Sequence, residues 1–183
     1  MTKYENALIT LDEFLVSNSI KYAVIGGIAV ILYGYQRTTN DIDVTILCEL
    51  EDLDRIHKLF ESEFKPAFNG TLEYFKRNFI LPVDEPGTNL RIDIAAGLTE
   101  FDRAVISRSK RICFGDAEIS VCSIEDLIVY KLFAARFADL ADIEILLMKN
   151  KNKIDSDYLI KTVGKFKELD REDMFQNLNK LLP

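Results

Sequence analysis

Two aspartates, Asp41 and Asp43, alternate with apolar residues in the segment 41–46. Successive side chains of a β-strand point to opposite faces, so a strand here places both carboxylates on one face. Like charges so close repel each other, and a divalent cation between them removes that repulsion. Carboxylate oxygens suit Mg²⁺ or Mn²⁺ better than zinc. The same pattern also fits two solvated aspartates at the end of a strand, so the pair alone does not establish a metal site.

A pair of glycines, Gly26 and Gly27, separates two apolar runs, 22–25 and 28–33. This order predicts a strand, a glycine turn and a short helix. Glycine lets the backbone approach a bulky ligand and tolerates positive φ. The N-terminus of a helix offers free N–H groups and a partial positive charge, which favour phosphate. A glycine pair alone indicates only a tight turn, but its combination with the two carboxylates indicates a phosphate and metal site.

These two segments together resemble the nucleotidyltransferase superfamily typified by DNA polymerase beta. The superfamily pattern is a hydrophobic residue followed by Gly and Gly or Ser, a spacer, and then Asp-hydrophobic-Asp or Glu. Ile25-Gly26-Gly27 matches the first half and Asp41-Ile42-Asp43 the second. The intervening Arg37-Thr38-Thr39-Asn40 resembles the variant of a small bacterial branch related to abortive-infection and toxin–antitoxin nucleotidyltransferases.

The resemblance implies a third carboxylate, which a later strand next to the Asp-x-Asp strand supplies. Asp93 has this order and context, because it lies in the alternating segment 90–94. Asp84 and Asp102 fit less well, since they are predicted in a loop and at a helix start. The catalytic and metal-binding residues implied by the resemblance are Asp41, Asp43 and Asp93.

The same resemblance implies a set of nucleotide-binding residues. Gly26 and Gly27 would cradle the outer phosphates, and Arg37 would neutralise charge on them. Lys131 is a charge within a mostly apolar helix, and it either extends to solvent or points at the triphosphate. The full set is Gly26, Gly27, Arg37, Thr39 and Lys131.

The segment that contains Lys131 also resembles the small bacterial branch. In that branch a Ser-x-Glu-Asp-Leu helix, here 123–127, leads to a segment rich in Lys, Arg and Asp. The sequence departs from the pattern at Ala138, where a basic residue is expected, and this weakens the case for a phosphate grip. Asp139 and Asp142 share a helix face, and structural pairing with Arg136 is their predicted role.

The charge of the chain is uneven. The net charge over 183 residues is −7, of which residues 149–183 contribute +2 and the preceding residues −9. An acidic main body does not resemble a nonspecific nucleic-acid binder. An RNA substrate held by a local basic patch remains compatible with the sequence.

Other residues bear on compartment and chemistry. Because no apolar run reaches the ~20 residues that span a bilayer, and the N-terminus lacks a secretion-type apolar segment, we predict a cytoplasmic protein with no membrane partner. Cys48, Cys113 and Cys122 show no metal spacing and are predicted to be buried thiols. His57 is the only histidine, and we predict a partly exposed structural role for it.

The predicted fold is α/β, in an α+β arrangement with a small mixed β-sheet flanked by helices. Residues 1–122 form the predicted catalytic core, and residues 123–183 a C-terminal helical part packed on it. Apolar periodicity predicts helices over 3–17, 51–64, 155–165 and 169–182. Residues 68–81 are predicted to be rich in strand, and residues 106–121 to form two strands around Gly115-Asp116.

The predicted function is transfer of a nucleoside monophosphate from an NTP to an acceptor hydroxyl, with Mg²⁺ or Mn²⁺ as cofactor. The acceptor is a tRNA, a protein or a small molecule such as an aminoglycoside, and an antitoxin protein is a further partner implied by the resemblance. Two alternatives stay open. Asp-x-Asp also occurs in metal-dependent glycosyltransferases, and the chain could be a catalytically inactive nucleotide-binding or partner-binding member of the same fold.

Overall fold

A seven-stranded mixed sheet forms the centre of the fold in the computed structural model, which describes residues 1–182. The strand order across the sheet is β3-β4-β5-β2-β1-β7-β6. The strands are β1 (Tyr22–Val24), β2 (Asp41–Leu47), β3 (Lys65–Pro66), β4 (Ile80–Asp84), β5 (Arg91–Gly97), β6 (Lys110–Phe114) and β7 (Ala117–Val121). The prediction of an α/β fold with a mixed sheet is confirmed.

Helices connect and follow these strands. The α-helices are α1 (Lys3–Ser17), α2 (Gly26–Leu32), α3 (Leu53–Glu61), α4 (Thr71–Asn78), α5 (Glu100–Arg108), α6 (Ile124–Ala134), α7 (Phe137–Asn150), α8 (Ser156–Lys165) and α9 (Glu172–Leu181). Short 3₁₀ helices cover Leu50–Asp52 and Phe166–Leu169. Local sequence explains where α1 begins, since Thr2 caps it and Glu5 completes a capping box.

The centre of the sheet brings β2 between β1 and β5. β2 is antiparallel to β1 and parallel to β5, and in the latter pair Asp43 lies directly beside Asp93. Ile42, Val44 and Ile92 are fully buried, whereas the two aspartates are half-buried. The alternation in sequence thus anchors one face of each strand in the core and leaves the carboxylates on the other.

The chain divides into two compact units. The first comprises Met1–Ile28 and Thr38–Cys122, and it contains the whole sheet. The second comprises Ala29–Arg37 and Ser123–Pro183. This unit contains α6 to α9, which follow the last strand, and residues 29–37, which follow the glycine pair.

The strand-rich prediction for residues 68–81 is wrong over most of its length. Residues 71–78 form α4, and β4 begins only at Ile80. Thr71 and Phe75, one helical turn apart, are the buried residues of this helix, so its apolar spacing is helical. Phe79 ends the helix with a φ of 58°.

Two predictions about single residues also need correction. His57 is buried at 6% exposure rather than partly exposed, and its Nε2 lies 2.9 Å from Thr71 Oγ1. This contact between α3 and α4 supports a structural role. Cys113 is exposed on β6, whereas Cys48 and Cys122 are buried as predicted. The strand β6 lies at the edge of the sheet, and all of its side chains are exposed or half-buried.

Among the described residues, 1–182, every helix is too short or too polar to cross a lipid bilayer.

Candidate metal and nucleotide site

Three carboxylates meet on one face of the sheet. Asp41, Asp43 and Asp93 each offer an oxygen, and these oxygens all lie within 4.8 Å of one another. The parallel register of β2 and β5 produces this proximity, because it sets Asp43 directly beside Asp93. Oxygen donors of this kind match the ligand preference of Mg²⁺ and Mn²⁺. The donor set therefore fits a hard divalent cation.

The electrostatics of the cluster point the same way. Burial raises the pKa of Asp93, and the charges of Asp41 and Asp84 raise it further, while Arg91 opposes them. A carboxylate whose pKa is raised is held in a place that disfavours its charged form. Positive charge supplied to this cluster would relieve that cost.

The glycine pair, predicted as a turn before the helix, instead begins α2 and lies directly against this cluster. Gly26 has a φ of +59°, and a Cβ built on it would lie 1.9 Å from Asp43 Oδ2. The neighbouring Ile25 N–H donates to the Asp43 backbone carbonyl at 2.9 Å. Gly26 is thus required twice, for its backbone conformation and for the space that Asp43 occupies.

Gly27 has a different reason to be glycine. A Cβ at this position would lie 2.4 Å from Thr39 Oγ1. Of the two glycines, Gly26 has a positive φ and Gly27 does not. Close approach of another side chain, rather than backbone conformation, therefore constrains Gly27.

Thr39 is positioned beside the first aspartate. Its Oγ1 donates a hydrogen bond to Asp41 Oδ1 at 3.0 Å. The Tyr4 hydroxyl in turn donates to the Thr39 backbone carbonyl. Sequence reasoning selected Thr39 as a nucleotide-binding residue but missed Tyr4. No local signal identifies Tyr4, because the contact joins residues far apart in sequence.

The remaining two predicted nucleotide-binding residues belong to an ionic network in the second unit. Lys131 is 6% exposed, and its Nζ lies 2.6 Å from Asp142 Oδ2 and 3.1 Å from Asp139 Oδ1. Arg37 Nη1 approaches the same Asp142 oxygen at 2.5 Å. Lys131 therefore does not extend to solvent, and its role toward a nucleotide stays a prediction.

One acidic partner in this network, Asp139, is stabilised as an anion. Burial would raise the pKa of Asp139, but a hydrogen bond from Arg136 and the nearby Lys131 outweigh burial and lower it. The predicted pairing with Arg136 occurs at Asp139, where Nε and Oδ2 are 2.7 Å apart. Asp142 pairs instead with Arg37 and Lys131.

The predicted residues thus fall into two groups. The first unit brings together the three aspartates, both glycines and Thr39. The second unit contains the paired Arg37 and Lys131. The first group has the composition of a site for a metal ion, and the second that of a neutralised charge network.

Solved structures of several nucleotidyltransferases are similar to this chain. An antigenic nucleotidyltransferase-like protein from Paracoccidioides brasiliensis superimposes with a TM-score of 0.52 at 17% identity, covering 94% of this chain and 92% of that one. ANT(2")-Ia in complex with adenylyl-2"-tobramycin gives a TM-score of 0.58 at 9% identity, covering 97% and 99%. The lincosamide antibiotic adenylyltransferase LnuA, lincomycin-bound, gives 0.50 at 17% identity, covering 78% and 95%. At these identities the similarity establishes a shared fold.

No curated protein matches the sequence. The family model described as "Nucleotidyl transferase of unknown function (DUF2204)" matches residues 4–180, almost the whole chain. The resemblance inferred from the glycine turn and the aspartates is therefore confirmed at the level of the superfamily, and this chain belongs to the nucleotidyl transferase family DUF2204.

Proposed function

We propose that the protein transfers a nucleoside monophosphate from an NTP to an acceptor hydroxyl, with Mg²⁺ or Mn²⁺ as cofactor. The observation that carries the proposal is the convergence of Asp41, Asp43 and Asp93 within 4.8 Å on two adjacent parallel strands. The family and the shared fold support the reaction class. A reaction that consumes an NTP suits the cytoplasm, where these substrates are made.

Each aspartate has a proposed role. Asp41 and Asp43 would bind two metal ions, and Asp93 would bind the ion nearer the acceptor. When bound, such ions would supply positive charge to stabilise the attacking and leaving oxygens. Asp93 is also the proposed acceptor of the hydroxyl proton, because it lies beside the two aspartates that would hold the metal ions.

The reaction balances as an in-line substitution. The acceptor oxygen forms a bond to the α-phosphorus, the bond from that phosphorus to the bridging oxygen breaks, and pyrophosphate leaves. Gly26 and Gly27 are proposed to offer backbone N–H groups to the outer phosphates. Thr39 would hold Asp41 in place through its hydrogen bond of 3.0 Å, and Arg37 and Lys131 are proposed to counter phosphate charge.

The acceptor is proposed by class. Two structures with a similar fold favour a small molecule with a hydroxyl group as the acceptor. One is in complex with an adenylyl-tobramycin, and the other, LnuA, is lincomycin-bound. A tRNA and a protein hydroxyl are the other candidates, and the resemblance to toxin–antitoxin enzymes would add an antitoxin partner to either. An inactive nucleotide-binding role is the alternative to catalysis.

Incubation with each α-labelled NTP, Mg²⁺ and a fractionated cell extract tests these proposals together. Label in the RNA, protein or small-molecule fraction identifies the acceptor class. The Asp43→Asn variant is the control for contaminating transferases. Pyrophosphate release and labelling that are equal in both samples would reject catalysis at this site. Nucleotide binding without any release would favour the inactive alternative.

A further inference from the structure

We infer that a cavity in the second unit, away from the aspartates in sequence, is a binding site for a phosphate ester. The cavity has a volume of about 610 Å³, and Leu32, Tyr33, Ile124, Lys149, Asn150 and Lys153 are among its lining residues. Small-molecule sites in proteins typically measure ~300–1,000 Å³. The cavity therefore has the size of a site for a ligand such as a mononucleotide.

The positive charge of the residues that line the cavity favours an anionic ligand. Lys149 and Lys153 both line the cavity, and none of its lining residues is acidic. The segment 145–154 contains lysines but no aspartate or glutamate, so its positive charge is not neutralised within the segment. Lysine ammonium groups are common phosphate ligands.

One lysine is already held in position. Lys149 Nζ donates to the Gly34 backbone carbonyl at 2.7 Å, and an ammonium group has three donors, so two remain. A purely structural role, in which Lys149 satisfies a carbonyl beyond the end of α2, would explain this contact. That role does not explain Lys153, whose Nζ makes no hydrogen bond or ion pair within residues 1–182.

A buried amide supplies an acceptor at the same place. Asn150 is only 7% exposed, and its Nδ2 donates to the carbonyls of Tyr33 at 2.9 Å and Leu146 at 3.1 Å. These bonds fix the orientation of the amide. Within residues 1–182 its Oδ1 accepts no hydrogen bond, so it is available to a hydroxyl or amine of the ligand.

The apolar part of the lining completes the description of the ligand. Ile124 is buried and Leu32 is half-buried, and both line the cavity. They would contact a ring or an alkyl group next to the phosphate. The ligand is therefore a phosphate ester with a ring-bearing body, supplied either by a free mononucleotide or by the phosphodiester chain of a single-stranded RNA.

Calorimetric titration of the full-length protein tests the site, with AMP and a short single-stranded RNA as separate probes at low salt. EDTA in the buffer and the Asp43→Asn background keep the measurement independent of nucleotidyl transfer, so the inference does not rest on the proposed function. Binding of AMP that the cavity variants weaken identifies a mononucleotide site in the cavity, and binding of the RNA alone that they weaken identifies a phosphodiester site there. If neither probe binds, the inference is wrong.

Three charge-matched variants locate the bound phosphate. Lys153→Gln is expected to weaken binding about tenfold, the loss of one charge-assisted contact. Lys151→Gln removes the same charge from the same segment but outside the lining, and its affinity should stay within about twofold of the parent. Lys149→Gln is the second cavity variant. Thermal midpoints verify that each variant folds, and equal losses in all three variants would indicate diffuse surface attraction and overturn the assignment.

Discussion

Asp93 in the first unit and Asp139 in the second are both withdrawn from solvent, yet their pKa values move in opposite directions. Burial and the neighbouring Asp41 raise the pKa of Asp93. Burial acts on Asp139 in the same sense, but Arg136 and Lys131 outweigh it and lower the pKa. The difference lies in the balance of partners, because burial and carboxylates outweigh Arg91 at Asp93, whereas Arg136 and Lys131 outweigh burial at Asp139.

This contrast separates two uses of buried charge. A network in which acids and bases are matched stabilises a fold only modestly, but it is strongly destabilised when one partner is removed. A cluster of acids alone carries a cost in the folded state that a bound cation removes. The first pattern suits structure and the second suits ligand binding, and mutation should distinguish them.

The largest effect is expected for Asp43→Asn. Loss of one metal-binding charge should lower nucleotidyl transfer by roughly 10³-fold or more, since metal ions contribute several kcal/mol to such reactions. In EDTA the thermal midpoint should stay equal or rise, because repulsion within the cluster is reduced. Pyrophosphate release and thermal denaturation measure the two quantities, and full activity in the variant would refute the two-metal mechanism.

Lys131→Met, in contrast to Asp43→Asn, is expected to lower the stability of the fold. Removal of a buried cation leaves Asp139 and Asp142 incompletely paired, and breaking such pairs costs about 3–5 kcal/mol of unfolding free energy. Urea denaturation measures this loss. Lys161→Met, at an exposed position of α8, is the matched control and should change stability by less than about 0.5 kcal/mol.

NTP affinity of the folded Lys131→Met protein separates structure from binding. An affinity that falls well beyond the effect of the control would support the predicted contact of Lys131 with phosphate. An unchanged affinity would leave Lys131 as a member of the ionic network only.

A smaller effect is expected at the glycine turn. Gly26→Ala places a Cβ 1.9 Å from Asp43 Oδ2 at a φ of +59°, so both strain and displacement of the carboxylate follow. Strain of this kind costs about 1–3 kcal/mol. Gly164→Ala is the control, because nothing lies within 4 Å of its added Cβ, and helix propensity predicts a gain of roughly 0.5–1 kcal/mol. Equal thermal midpoints for both variants would contradict this account.

The smallest effect is expected in how steeply stability depends on acid pH. Because the folded-state pKa of Asp139 is lowered from 3.8, its contribution is fully present above that unfolded value and is lost as pH falls through the folded-state pKa. Asp139→Asn should therefore reduce stability at neutral pH and flatten its decline in acid. Denaturation between neutral and strongly acidic pH measures both slopes, and parallel curves for the variant and the parent would show that Asp139 is not stabilised as an anion.

Local sequence patterns predicted the secondary structure correctly where the alternation or periodicity of apolar residues lies within one segment. The alternation around Asp41 and Asp43 predicted a strand with the carboxylates on one face, and the periodicity of residues 3–17 predicted α1. The same approach failed for residues 71–78, because aromatic residues are common in strands, whereas the buried Thr71 and Phe75 have helical spacing. It also failed at Cys113, since exposure depends on which strand forms the edge of the sheet.

The sequence by itself determined the residue types of the candidate site, the order of its segments and the superfamily, because glycine and aspartate at these spacings are sufficient to identify them. Tertiary structure alone decided which residues meet. It set Asp93 beside Asp43 through a parallel strand register, placed Thr39 against Gly27, and buried Lys131 among acids. These contacts join residues of different segments, and only the packing of strands and helices fixes the distances between them.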